Sequence, residues 1–250
     1  MTGLCYYVSK LAVNLFVLLM CGGKQTRMGS YEGAKQLVPV NGEPNVDRTV
    51  RMLREVNRVI VRVVAPPTPD WIMFASDARA ERVDSVDPLF LAAVAGALPL
   101  ESHAIDRYLV LCGDVVFSPT ILTKLIDPSV PITFAGRFSP NIHTGRPAGE
   151  LYGFSFSASK RGLVVHQLEI VLAEVETLKE TLHRGGVDDP DRIADIVEKN
   201  ARLWRFMHMA EDNLGATVVD VDLWDYIDDI DGPDDLERLP RIEAAIRRRE

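Results

Sequence analysis

The sequence predicts an α/β protein, a mixed and mostly parallel sheet flanked by helices. Three observations carry that expectation. Short apolar runs recur along the 250 residues and alternate with stretches of helical periodicity, the pattern of βαβ units. Several of these runs are apolar throughout, as strands buried on both faces are. The composition, 47% hydrophobic and 26% charged, is that of a globular chain long enough to bury a sizeable core.

The elements follow in order. LFVLLM at 15–20, entered through Asn14, reads as a buried parallel strand running into a glycine loop. NVDRTVRMLREV at 45–56 places Val46, Val50, Leu53 and Val56 on one helical face. VIVRVV at 59–64 is a second strand, stopped by Pro66 and Pro67. The stretch 68–86 shows neither period cleanly. PLFLAAVAGALPL at 88–100 reads as a buried helix, YLVLCGD at 108–114 as a third central strand, and a short helix is expected from Ser118. PITFAG at 131–136 and GELYGFSFS at 149–157 are further strands, and the alternation of the second predicts an antiparallel one.

From Ser159 the texture turns helical. Val164, Leu168, Val171, Val175, Leu178 and Leu182 step by fours and threes, giving a long amphipathic helix closed by Gly185-Gly186. The heptad run is too short for a coiled coil. Another helix is expected over 190–209, with Trp204 and Met207 as core or lid residues. ATVVDVD at 216–222 returns to strand, and PDDLERLPRIEAAIRR at 233–248 is a charged closing helix. One domain over 1–250, with a helical insertion at about 159–210, accounts for the pattern.

Charge and targeting signals narrow the function classes. With 28 Lys and Arg against 36 Asp and Glu, the net charge is −8, which argues against nucleic acid as a partner because phosphate neutralisation needs excess cations. A nucleotide needs only a few local ones. Cys5, Cys21 and Cys112 form neither a disulfide framework nor a metal-ligand spacing, and a reducing, cytoplasmic compartment is expected. Lys10 before LAVNLFVLLMCGG has the outline of a secretion signal. Met20 is too large to precede a cleavage site, and the apolar run falls well short of the roughly 20 residues a membrane span takes. Strand is the better reading, and no membrane partner is expected.

The chemistry begins straight after the first strand, in Cys21-Gly22-Gly23-Lys24-Gln25-Thr26-Arg27-Met28-Gly29. Paired glycines let backbone N–H groups approach anionic oxygens, and Lys24 and Arg27 add charge on flexible arms. Neither the kinase-type phosphate loop nor the dinucleotide fingerprint fits, since no Gly-Lys-Ser/Thr ends the segment and the glycine spacing differs. Lys35 follows in Gly33-Ala34-Lys35-Gln36-Leu37-Val38-Pro39-Val40-Asn41-Gly42-Glu43-Pro44.

The whole ordered string, GGxxTRMG, then K-x-L-x-P-V-x-G-x-P, then R-T-V-R-x-L, resembles one family. It is similar to the nucleotidyltransferases of the Rossmann-like, glycosyltransferase-A-like fold. These include sugar-1-phosphate nucleotidyltransferases, phosphocholine cytidylyltransferase-type enzymes and molybdenum-cofactor guanylyltransferase. The resemblance covers about 14–136 and 216–240. It implies an NTP and a phosphorylated small-molecule acceptor as partners, with Mg²⁺ as cofactor. It also implies a metal-binding Asp after a central strand, matched by Asp114 in Val110-Leu111-Cys112-Gly113-Asp114, where open α/β sheets bind ligands. A second acidic ligand before a Pro-acid-acid-Leu helix start is matched by Asp229 or Asp231 in Asp228-Asp229-Ile230-Asp231-Gly232-Pro233-Asp234-Asp235-Leu236. Alternation puts Asp229 and Asp231 on one side, with Ile230 opposite. Asp234 and Asp235 suit a helix's first turn, and Asp228 reads as solvated surface.

In the implied site Cys21, Gly22, Gly23, Lys24, Gln25, Thr26, Arg27 and Met28 cradle the nucleotide. Arg27 and Lys24 hold the β- and γ-phosphates, and Lys35 contacts the α-phosphate or the acceptor. Arg137, Arg146 and Tyr152 are candidate acceptor contacts. Gln25 replaces a frequent third glycine, Ala34 replaces the usual proline before the lysine, and no base-reading motif appears around 64–92. Two other readings stay open. One is a glycosyltransferase of the same fold, although Asp114-Val115-Val116 lacks the Asp-x-Asp metal motif. The other is a non-catalytic nucleotide-binding protein.

Overall fold

The computed structural model describes residues 13–22, 34–77, 80–84, 90–99, 104–140, 142–143, 145, 149–200, 203–222 and 225–249. At its centre lies β1 (Asn14–Met20), hydrogen-bonded in parallel to β4 (Arg58–Ala65) on one side and β6 (Arg107–Cys112) on the other. Beyond β4 comes the edge strand β5 (Glu81–Asp84). Beyond β6 come β9 (Glu150–Ser157), β8 (Ile132–Arg137) and β10 (Thr217–Asp220). The order across the sheet is β10-β8-β9-β6-β1-β4-β5, with β9 alone antiparallel to its neighbours, as its alternation predicts.

The unbroken hydrophobicity of β1 has a direct cause. Leu15, Val17 and Leu19 pack into the core on one face, and Phe16, Leu18 and Met20 into the core on the other. Alternate side chains therefore both meet helices. The first face is covered by α1 (Asn45–Val56), α2 (Pro69–Asp77) and α4 (Pro119–Leu125). In α1 the expected stripe is present, with Val46, Val50 and Leu53 buried, each contributing about 1.5–3 kcal/mol. Ser118 caps α4, its hydroxyl accepting from the Ile121 N–H.

The second face is covered by α3 (Phe90–Ala97), α5 (Arg161–Arg184) and α7 (Leu203–Leu214). Val164, Leu168 and Val171 of α5 and Phe206, Met207 and Ala210 of α7 pack onto sheet residues Phe16, Tyr108, Phe134 and Phe154. Within the stretch expected as an insertion, α5 and α7 thus wall this face of the sheet. Helix α5 ends as its glycines require: Gly186 is left-handed at φ +79°, and Val187 N–H reaches back to the Leu182 carbonyl. The single helix expected over 190–209 is two, α6 (Pro190–Asn200) and α7. The ambiguous stretch 68–86 resolves into α2 and β5. The pattern of 14–20 that resembled a secretion signal is the central strand. No helix among the described residues is long and apolar enough to cross a membrane.

Three small elements frame the carboxyl end of the sheet. A hairpin pairs β2 (Pro39–Val40) with β3 (Glu43–Pro44), and β7 (Val115–Val116) pairs antiparallel with β11 (Asp228–Asp229). Helix α8 (Pro233–Arg249) closes over both, burying Val40, Val116, Tyr226, Ile230, Ile242 and Ile246 together. The hairpin tip is tied to α8 by Asn41 N–H to Glu243 and Arg247 to the Asn41 side-chain oxygen.

Candidate active site

The site forms where β1 and β6 end. Their ladder continues past the strands, Gly113 N–H donating to the Met20 carbonyl at 3.0 Å, and on the other side Cys21 N–H extends the β1–β4 ladder to the Val64 carbonyl at 2.8 Å. A Cβ on Gly113 would run into the Cys21 sulfur, so only glycine lets the β6 turn lie against the root of the glycine loop. Cys21 is fully buried there, and burial first, then the Asp114 charge, pushes its thiol well above the ordinary range. It is an inert packing residue at the foot of the loop rather than a nucleophile.

The next residue is Asp114, and its backbone is pinned at three successive carbonyls. The buried Asn45 amide donates to Gly113 O at 3.3 Å and Val115 O at 2.8 Å, and Ile230 N–H donates to Asp114 O at 2.9 Å. The β7–β11 ladder sets Asp229 opposite Val115. Two acidic segments distant in sequence are thereby fastened together by main-chain bonds.

Lys35 completes the cluster. It starts a short 3-10 turn, Lys35–Leu37, ahead of the hairpin. Its Nζ lies 2.5 Å from Asp114 Oδ2 and 2.8 Å from Asp231 Oδ1, and the three side chains are 16%, 21% and 30% exposed. Burial by itself would lower the lysine pKa. Asp114 and then Asp231 outweigh it and hold the ammonium above the usual lysine value, so it stays charged through neutral pH. Asp231 is fixed in turn by Asp235, whose Oδ2 accepts from both Asp231 N–H and Gly232 N–H at 2.8 Å. Asp235 is thus the returning half of a capping arrangement at the start of α8, as its first-turn position suggested.

Of the segment expected to alternate, Ile230 is buried in the α8 core and Asp231 is on the Lys35 side. Asp229 is 8% exposed. Asp228 is buried, its Oδ1 accepting from Asp229 N–H, which corrects the expectation of a solvated residue.

Arg137 and Tyr152 correct an expectation as well. Both are 1% exposed, so neither faces a solvent-borne acceptor. Arg137 Nε donates to the Tyr152 hydroxyl at 3.3 Å, and Nη2 to the Asp225 and Ile227 carbonyls at 3.1 and 2.7 Å. They are a buried strut beneath the segment leading to Asp229. Burial, against the Arg137 charge, raises the Tyr152 hydroxyl's pKa. Asp225 joins them, accepting from the Ser118 hydroxyl at 2.7 Å and from Ile227 N–H. Arg48 of α1 donates to the Phe117 carbonyl at 2.6 Å and the Tyr226 hydroxyl at 2.8 Å.

Asn45 and Asp225 went unread in the sequence, and Arg48 reads only as a member of the R-T-V-R-x-L string, with no role assigned. An Asn after Pro44 reads as an ordinary helix start, and a buried Arg on an amphipathic helix carries no sequence signal. Of the expected nucleotide cradle, Cys21 and Gly22 end the described part of the loop. Gly23, Lys24, Gln25, Thr26, Arg27 and Met28 lie outside the described residues, as does Arg146.

Whether a divalent cation suits this cluster can be judged from what it already holds. Asp114 and Asp231 converge on one ammonium, so they share a position for a single cation, and an all-oxygen donor pair suits Mg²⁺. Among the described residues no group of three or more His, Cys, Asp or Glu side chains is gathered to hold a metal. The converging pair is therefore Asp114 with Asp231, while Asp229 is held beside it on β11. Mg²⁺ commonly takes one or two carboxylates and completes its shell with substrate phosphates and water.

Known proteins share the fold that carries this cluster. Residues 17–135 match the family described as the MobA-like NTP transferase domain. No curated protein matches the chain by sequence. The fold is shared with CTP:phosphocholine cytidylyltransferase of Streptococcus pneumoniae, at 13% identity and a TM-score of 0.58 over 92% of this chain and 99% of that one. It is shared with 4-diphosphocytidyl-2C-methyl-D-erythritol synthase of Anaerococcus prevotii, at 12% identity and a TM-score of 0.54 over 94% and 96%. CMP:2-keto-3-deoxy-manno-octonic acid synthetase, complexed with CTP, superposes with a TM-score of 0.52 at 13% identity over 96% and 100%.

Proposed function

We propose, from the premise that residues 17–135 are a MobA-like NTP transferase domain and the chain a nucleotidyltransferase, that it transfers a nucleoside monophosphate from an NTP to a phosphorylated small molecule, a sugar phosphate or phosphoalcohol. The observation that carries this reading is the convergence of Lys35, Asp114 and Asp231 at the carboxyl end of β6. The reading takes 1–250 as one domain, in which α5 and α7 of the 159–210 stretch cover the sheet.

The obstacle in such a transfer is charge. An acceptor phosphate oxygen must approach the α-phosphorus of an already anionic nucleotide. A new P–O bond then forms, and the α–β bridging bond breaks, its electrons leaving with pyrophosphate. The protein has to position and neutralise rather than form a covalent bond. Asp114 and Asp231 would hold Mg²⁺, which supplies neutralisation of phosphate oxygens and a common anchor for them. Lys35 sits at the same point and would turn from the carboxylates to the α-phosphate or the acceptor when substrates arrive. Lys24 and Arg27 of the glycine loop are assigned to the departing β- and γ-phosphates. Asp229 stands by on β11 as a further acidic oxygen donor.

Val115 and Val116 are buried in β7 at 2% and 0% exposure, so the second acid comes from across the β7–β11 ladder rather than from an Asp-x-Asp run. That favours an NTP over a nucleotide-sugar donor. A pyrophosphate-release assay over the four common NTPs and a panel of phosphorylated sugars and alcohols tests the proposal. Release from one pair, strongly reduced in Asp114→Asn, is expected. Silence from every pair, with no NTP binding, would overturn it.

A further inference from the structure

We infer that Asn45 is a positioning residue, holding Asp114 in the geometry that receives a cation and an α-phosphate. The inference rests on the reading of Asp114 given above.

Asn45 is the first residue of α1 and is 0% exposed. A primary amide buried there costs roughly 1–3 kcal/mol unless its groups are used. The donor nitrogen is used twice, on the Gly113 and Val115 carbonyls. Both neighbours are acceptors, so the NH₂ end must face them. Among the described residues the amide oxygen has no partner. The side chain therefore spans the two peptide units on either side of Asp114. Its own backbone is independently anchored, Asn45 N–H donating to the Val38 carbonyl and its carbonyl accepting from the Thr49 hydroxyl.

The consequence is mechanical. Asp114 lies in a two-residue turn between β6 and β7. Its own carbonyl accepts from the Ile230 N–H, which comes from the second acidic segment. Without the amide, the turn would keep its tie to β1 through Gly113 N–H and its tie to the second acidic segment, but would lose the one to α1. The peptide units on either side of Asp114 would then be free to rotate about those two remaining bonds, and the carboxylate's direction with them. Because α1 also follows the Lys35 turn and hairpin, Asn45 sets the spacing between Lys35 and Asp114.

The test compares Asn45→Leu and Asn45→Ser with Val50→Ala, which damages α1 only by removing core packing. Mn²⁺ affinity of the full chain without nucleotide is read by electron paramagnetic resonance, alongside melting temperature, kcat and KM for the NTP. Asn45→Leu is expected to weaken Mn²⁺ binding and lower kcat by about 10–100-fold, the range for outer partners of metal ligands. KM for the NTP should change much less. Asn45→Ser, which retains one hydroxyl donor, should fall between, and it serves should the leucine variant not fold. Val50→Ala should melt earlier with Mn²⁺ affinity unchanged.

Folded Asn45 variants with wild-type Mn²⁺ affinity and kcat would overturn the inference, as would a Val50→Ala shift in Mn²⁺ affinity matching theirs. Asp114→Asn separates the two levels. If it too leaves Mn²⁺ affinity and turnover intact, the reading of the site itself fails. If it abolishes them while Asn45 variants do not, only the positioning role fails.

Discussion

Replacing Lys35 with Met should tighten metal binding while reducing turnover, and the sizes follow from the geometry. The Lys35 ammonium touches Asp114 and Asp231 at 2.5 and 2.8 Å, with all three side chains less than a third exposed. Met keeps an unbranched apolar stem one atom shorter and leaves the two carboxylates facing each other across that gap. At about 5 Å and an effective dielectric near 20, two like charges repel by about 3 kcal/mol. Partial exposure reduces this to about 2 kcal/mol of lost stability in the metal-free protein. A divalent cation relieves the same repulsion without first displacing an amine. Mn²⁺ should therefore bind roughly 30-fold tighter to Lys35→Met than to the wild type, the equivalent of about 2 kcal/mol. Turnover should fall about 10²–10³-fold, since the amine no longer meets the phosphate. Calorimetric Mn²⁺ titration and steady-state kinetics on the same preparation give both numbers. Equal or weaker Mn²⁺ binding in the variant would refute the idea that lysine and metal share one position.

Other perturbations follow from the same contacts. Arg137→Met should destabilise the protein by about 2–4 kcal/mol in urea unfolding, because it strips the donor from the buried Asp225 and Ile227 carbonyls. In the fraction that folds, KM for the acceptor should change little, since the guanidinium is not exposed. Asp235→Ala should cost about 1–2 kcal/mol by freeing the Asp231 and Gly232 N–H groups. It should weaken Mn²⁺ binding through Asp231, and an unchanged Mn²⁺ isotherm would separate the cap from the site. Gly113→Ala should yield little folded protein on circular dichroism, because its methyl group meets the Cys21 sulfur and the Met20 carbonyl oxygen. For pH, the folded lysine value is raised, so the stability Lys35 contributes is present below its ordinary value of about 10.5 and lost only as pH climbs through the raised one. Between pH 7 and 9.5, kcat should show no limb caused by loss of this charge.

The sheet and most helices were legible because their signals are local. The two-faced burial of 14–20 shows as unbroken hydrophobicity, and the α1 stripe as a helical period. The split of 190–209 into two helices escaped, as no proline or glycine marks it. Residues 39–44 escaped as a hairpin for another reason. Its strands are two residues each and are held largely by α8, a contact across the chain. Asp114 and Asp231, which meet at Lys35, both lie in the ordered motifs, and Ile230 faces the core as alternation expects. The supports were not. Asn45, Arg137 and Asp225 act through carbonyls far away in sequence, and nothing in their own neighbourhoods records the aim of a side chain. Arg137 illustrates the point, since a basic residue after a strand reads as a ligand contact until its burial is known.

The most direct test of the account is calorimetric titration of the full chain with each common NTP in the presence of Mn²⁺, comparing wild type with Asp114→Asn and Asp231→Asn. The account predicts that one NTP binds well to the wild type and that each substitution weakens both nucleotide and metal binding by at least about tenfold. Wild-type binding of NTP and Mn²⁺ by both variants, or none by the wild type, would contradict it.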